Sequence, residues 1–147
     1  MAAGPAHRAV VLLVEDDPDE AALALRAFAR SGFGARVEVA HDGESALERL
    51  HGLDAAARPV PALVLLDLKL PRLDGIEVLK RIRSNPRTRL VPVVMLSTSV
   101  EPRDVAAALG LNANAYVRKP TAFDDFVDAL RRVAEFWLVL NERPPEA

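Results

Sequence analysis

The 147-residue chain contains no cysteine. Disulfides, thiolate metal sites and a cysteine nucleophile are therefore excluded, and a reducing compartment suits it. Histidine is almost as scarce: His7, His41 and His51 are too scattered to build a metal cluster, and each is expected to be solvated. Long hydrophobic runs are missing too. No apolar stretch approaches the ~18 residues needed to span a bilayer. Met1 to Arg8 followed by the short apolar run Val10 to Val14 is not a secretory signal. A soluble, cytoplasmic protein with no membrane partner is expected. Nor is there a surplus of one charge: 19 Lys and Arg against 21 Asp and Glu leave a net charge of −2, so nucleic acid is not an expected partner.

Half the residues are hydrophobic and 27% are charged, a composition that supports a real core and excludes disorder. Short apolar runs alternate with longer amphipathic ones. Ala9 to Val14, Arg36 to Ala40, Ala62 to Leu66, Val91 to Leu96 and Ala115 to Val117 read as strands. Asp19 to Ser31, Gly43 to His51, Gly75 to Ser84, Arg103 to Leu109 and Phe123 to Leu140 read as helices. The alternation predicts an α/β fold, (βα)5, with a doubly wound parallel five-stranded sheet in the order 2-1-3-4-5. Asp17-Pro18 suits the start of the first helix, and Gly32 and Gly110 suit the ends of the first and fourth. Residues 8–140 should form one domain, with 1–7 and 141–147 as flexible termini. No effector domain is expected after Pro144-Pro145.

Open sheets of this kind bind ligands at the carboxyl ends of their strands, beside the point where strand order reverses. There the chain places Glu15-Asp16-Asp17, Asp67, Ser97-Thr98 and Arg118-Lys119-Pro120. Carboxylates held together repel unless a cation sits among them, and hard oxygen ligands suit Mg2+. An aspartate beside Mg2+ can attack a phosphoryl group while metal, ammonium and hydroxyl take up its charge. Asp67, directly after the apolar run Leu63 to Leu66, is placed for that role.

At these residues the chain resembles the receiver domains of two-component response regulators over about Arg8 to Leu140. The matching stretches are Val11-Leu12-Leu13-Val14-Glu15-Asp16-Asp17, Leu65 to Gly75, Val93 to Ser97 and Tyr116-Val117-Arg118-Lys119-Pro120. The resemblance implies a flavodoxin-like fold with Asp67 as phosphoacceptor. It further implies Asp16 as a direct Mg2+ ligand, Glu15 as a ligand through water and the backbone carbonyl of Lys69 as another. Ser97 and Lys119 would contact the phosphoryl group, and Tyr116 would be the rotamer switch coupled to Ser97. Ser97-Thr98-Ser99 and Phe136-Trp137-Leu138 are most similar to single-domain regulators paired with phytochrome-type histidine kinases. That likeness implies such a kinase upstream, a downstream phosphotransfer or effector protein, and a homodimer through the last helix. The bulk of Lys69 and Thr98 would screen the attacking water and slow hydrolysis, with the Lys69 ammonium also near the phosphoryl oxygens.

Plainer readings stand beside these. Asp17, Asp19 and Glu20 read as acids complementing a helix dipole, Asp74-Gly75 as the first turn of the third helix, and Tyr116 as a half-buried strand residue. Phe123, Phe126, Val127, Leu130, Val133 and Trp137 form the core stripe of the last helix, which leaves Phe136, Val139 and Leu140 for a twofold contact. An alternative function is an Mg2+-dependent phosphohydrolase using an aspartyl-phosphate, although Lys69 stands where such enzymes usually carry a second aspartate. A receiver that only binds partners is the third option. The main reading is a non-enzymatic, single-domain regulator.

Overall fold

The computed structural model describes residues 9–145. Residues 1–8, 146 and 147, with His7 and most of the expected flexible termini, lie outside the described residues. Five strands alternate with five helices: β1 (Val10–Val14), α1 (Pro18–Arg30), β2 (Arg36–Ala40), α2 (Gly43–His51), β3 (Leu63–Leu66), α3 (Gly75–Ser84), β4 (Val93–Ser97), α4 (Pro102–Gly110), β5 (Ala115–Arg118) and α5 (Phe123–Ala134). All strand pairs are parallel and the order is β2-β1-β3-β4-β5, as the sequence predicts.

The three inner strands are buried along their whole length, which is why they read as unbroken apolar runs rather than alternating ones. One face packs on α1 and α5 through Phe28, Phe126 and Leu130; the other packs on α2, α3 and α4 through Leu50, Leu79, Ile82 and Ala108. β4 starts at Val93 rather than Val91, after Pro92, which has no N–H to give a ladder.

Helix starts follow local chemistry. Asp17 accepts from the amides of Asp19 (2.8 Å) and Glu20 (3.3 Å), with Pro18 at the first helical position, while Asp42 and Asp74 cap α2 and α3. Gly32 takes the left-handed conformation after α1 (φ 87°). After α4 that turn falls on Asn112 (φ 65°), because Gly110 is still helical.

Two further expectations are corrected. His51 is only partly solvated: its Nε2 lies 2.7 Å from the Thr88 hydroxyl, which itself donates to the Ile82 carbonyl, joining the end of α2 to the segment before β4. The last helix is not uniform either. After Ala134 the backbone widens into a π-helical turn over Glu135–Leu140, closed by the Asn141 amide on the Phe136 carbonyl at 2.7 Å. The wider turn shifts the buried seam by one residue, so Leu138 continues the series Phe126, Leu130, Ala134 and Trp137 is only partly covered. Phe136, Val139 and Leu140 point outward, 47%, 54% and 64% exposed.

Candidate functional site

β1 and β3 are central, and the sheet order reverses between them. Backbone bonds carry the ladder past the strand ends: Asp67 N–H donates to the Val14 carbonyl (3.1 Å) and Lys119 N–H to the Ser97 carbonyl (2.8 Å). The residues that follow each strand are thereby fixed with respect to one another. Glu15, Asp16 and Asp67 each offer a carboxylate oxygen, all within 4.8 Å of one another. The Lys119 ammonium reaches in from β5, 2.6 Å from Glu15, 2.9 Å from Glu20 and 3.7 Å from Asp67. Glu15, Glu20, Asp67 and Lys119 line a cavity of about 250 Å3 together with Thr98 and Thr121.

Burial dominates the electrostatics. It pushes the Glu15 carboxyl up to about 8 against the pull of Lys119, and it raises Asp67 despite Lys119 and the backbone amides of Leu68 and Lys69. Burial also works against the Lys119 ammonium, but the hydrogen bonds it donates to Glu15 and Glu20 and the charge of Asp67 more than offset it, to about 12. Carboxylates at this edge therefore outnumber the cation that holds them. A cluster of hard oxygen donors carrying excess negative charge fits a divalent cation of the Mg2+ class.

Ser97 is buried at the end of β4, and its hydroxyl accepts from the Ser99 amide (3.2 Å). Tyr116, half-buried on β5, donates to the Ser99 carbonyl (2.7 Å). Ser99 also donates through its hydroxyl to Asp104 on α4 (2.7 Å), which lies 3.8 Å from the Lys69 ammonium. The Lys69 side chain is thus exposed and paired with α4, and in this structure Asp104 is its charged partner.

Two functional features escaped the sequence reading. Glu20, an acid of the first turn of α1, also contacts Lys119 across the sheet edge. Gly75, taken as part of a helix turn, lets α3 abut the segment after β3: a Cβ there would lie 2.2 Å from the Asp67 carbonyl oxygen and 2.9 Å from Leu68 Cα. The first needed knowledge of a contact 99 residues apart. The second was signalled only by an Asp-Gly pair with several ordinary explanations.

A profile described as response regulator receiver domain matches residues 11–131. The chain belongs to the response regulator receiver domains. Among relatives of this receiver domain, the probable methanogenesis regulatory protein FilR2 of Methanothrix harundinacea is 41% identical over 138 residues, covering 94% of this chain and 89% of that one. Response regulator Rcp1 of Synechocystis is 35% identical over 130 residues, 88% of each chain. The Mn2+-bound structure of Rcp1 superposes with a TM-score of 0.83 at 34% identity, over 94% of this chain and 100% of that one. The phosphorylated cyanobacterial phytochrome response regulator RcpA superposes with a TM-score of 0.85 at 35% identity, over 94% and 99%. The receiver domain thus belongs to two-component signalling, in which a histidine kinase is the partner and an aspartate carries the phosphoryl group. Receiver domains bind Mg2+ or Mn2+ in their acidic pocket, and signalling rather than catalysis is their general role. Membership does not favour the phosphohydrolase alternative. Among the described residues no helix is long and apolar enough to cross a membrane.

Proposed function

We propose that this receiver domain accepts its phosphoryl group on Asp67. The observation that carries the reading is the meeting of Asp67 with Glu15, Asp16 and the Lys119 ammonium at one rigid sheet edge. Asp16 would hold Mg2+ directly and Glu15 through water, and Asp67 and the backbone carbonyl of Lys69 would complete the protein ligands. A Mg2+ held by these residues would relieve the crowding of carboxylates and screen the charge of the incoming group. A carboxylate oxygen of Asp67 attacks phosphorus as the bond to the donor breaks, while Lys119 and the Ser97 hydroxyl take up charge on the outer oxygens.

Ser97 and Tyr116 both engage Ser99. Drawing the Ser97 hydroxyl towards the phosphoryl group pulls on the segment that Tyr116 holds, so the tyrosine is the switch that carries the change to α4 and β5. The product is a protein contact, not a chemical transformation: this is a non-enzymatic regulator acting in the cytoplasm on a downstream phosphotransfer or effector protein. Similarity to Rcp1 and RcpA supports a phytochrome-type histidine kinase as the donor. The outward-facing Phe136, Val139 and Leu140 support a homodimer through the end of the last helix.

Incubation with Mg2+ and acetyl phosphate, followed by mapping of the acyl phosphate, tests the assignment. Asp67 should be labelled, Asp67→Asn should not be, and Asp16→Asn should lose Mg2+-dependent labelling. Wild-type labelling of Asp67→Asn would overturn it. Light scattering of the wild type and of Phe136→Ala with Leu140→Glu tests the dimer; a monomeric wild type at tens of micromolar overturns that part alone.

A further inference from the structure

Glu20 occupies the third position of α1, three residues after the capping Asp17. A carboxylate there usually reaches back to the amide of the capping residue and completes a reciprocal pair of bonds. Here the Asp17 amide is bonded instead to Glu15 Oε2 (3.4 Å), and the Glu20 carboxylate turns across the sheet edge to accept from Lys119 at 2.9 Å. Its backbone is fixed for that reach, since the Glu20 amide is held by Asp17 and Pro18 sets the first turn. The side chain is about half exposed, whereas Lys119 is 11% exposed. Nothing local requires the contact.

We propose that Glu20 is a positioning residue for phosphoryl transfer, which holds the Lys119 ammonium on the α1 side of the pocket and competes for it with Asp67 and the group Asp67 receives. The inference rests on the assignment of Asp67 as acceptor. The ammonium is closer to Glu15 and Glu20 than to Asp67. If Glu15 turns to a cation, Glu20 remains the carboxylate that retains the lysine. An arriving phosphoryl group must then share Lys119 with a fixed negative charge and also meets repulsion from that charge. Glu20 thereby weakens the hold of the site on the phosphoryl group and keeps Lys119 from closing on Asp67 beforehand.

Beryllofluoride tests this at equilibrium, because its three fluorides stand in for the outer phosphoryl oxygens. Fluorine NMR titrations in Mg2+ would compare the full-length wild type with Glu20→Gln, Glu20→Ala and Asp19→Asn. Both Glu20 variants should bind beryllofluoride about fivefold more tightly, the scale of losing one half-exposed charge near the ligand. Asp19→Asn removes the same charge from the same helical turn without a bond to Lys119 and should leave the affinity within about twofold of wild type. The sign is informative, since a merely damaged pocket binds more weakly. Unchanged or weaker binding in the Glu20 variants, or equal tightening in Asp19→Asn, overturns the proposal. If the wild type forms no adduct that Asp67→Asn abolishes, the acceptor assignment fails and this inference with it. If it forms one and the Glu20 variants bind no more tightly, the role of Glu20 alone is wrong.

Discussion

The two ends of the sheet handle surplus charge in opposite ways. At the carboxyl ends of the strands, Glu15, Glu20 and Asp67 share one ammonium, with Asp16 alongside. At the amino ends the surplus is positive. There the Arg83 guanidinium donates to the carbonyls of Arg89, Val91 and Asn112 and to the Asn114 side chain, and Arg87 donates to the carbonyls of Leu50 and Arg58. Nearby, Arg36, Arg49 and Arg58 all face the single carboxylate of Glu38. A guanidinium carries five donors, and loop carbonyls can satisfy them without any counter-charge. A carboxylate only accepts, and its neighbours at the acidic edge are mostly other carboxylates. The arginine edge is nearly satisfied as it stands, with the buried Arg49 Nη1 left without a partner, whereas the acidic edge is stable only at a discount and awaits a cation.

The largest effect should come from Gly75→Ala. The acidic edge depends on a backbone fit rather than on paired charges, and a Cβ 2.2 Å from the Asp67 carbonyl oxygen forces α3 away from the acceptor segment. A loss of about 3 kcal/mol in urea unfolding is expected; a loss below about 1 kcal/mol would show that this segment yields easily. Next, Arg83→Ala should cost about 2 kcal/mol, because it orphans several carbonyls at once, while leaving Asp67 labelling intact. If labelling fell with stability, the two edges would not be separable.

Asp67→Asn should run the other way and raise stability by about 1 kcal/mol, since it removes a partly buried carboxylate whose charged form is disfavoured. Denaturation with a chelator present would measure the gain, and a destabilised variant would contradict the contrast. The smallest effect is a difference in the sign of pH dependence. Glu15 and Asp67 hold protons more tightly folded than unfolded, so their contribution is present below about pH 4 and fades as pH rises, for Glu15 up to about 8. Glu38 is lowered: burial opposes its charge, but Arg49, Arg58 and Arg36 outweigh it. Its contribution is present above pH 4.5 and is lost in acid as the pH falls through its folded value. Melting curves of the chelated protein should therefore show Glu15→Gln reducing the loss between pH 5 and 8, and Glu38→Gln lowering stability above pH 4.5 with an effect that vanishes as the pH falls through the folded value of Glu38.

What was legible in the sequence follows the same division between local and distant causes. The bounds of α2 and α3 coincide with the prediction because Asp42 and Asp74 cap them from within the same few residues. That Glu15, Asp16, Asp67, Ser97 and Lys119 meet was readable because each lies at or just past the carboxyl end of a strand, and parallel order brings those ends together. The contacts of Glu20 with Lys119 and of His51 with Thr88 were not legible because these partners are distant in sequence. The π-helical turn was invisible for another reason: periodicity assumes a constant number of residues per turn, and the apolar residues from Phe136 to Leu140 fit either winding.

That turn also equips the molecule with an internal optical reporter. Trp137 is the sole tryptophan of the chain. It sits half-covered where the winding changes, with the exposed Phe136 ring edge-on at a centroid distance of 4.7 Å. Indole emission responds to the wetness of its surroundings, and the ring lies on α5's continuation, away from the residues that crowd Asp67. A spectral shift on dilution would therefore report association at the helix end. A shift on acylation of Asp67 at constant oligomeric state would instead be a direct optical trace of communication between that end and the acidic edge.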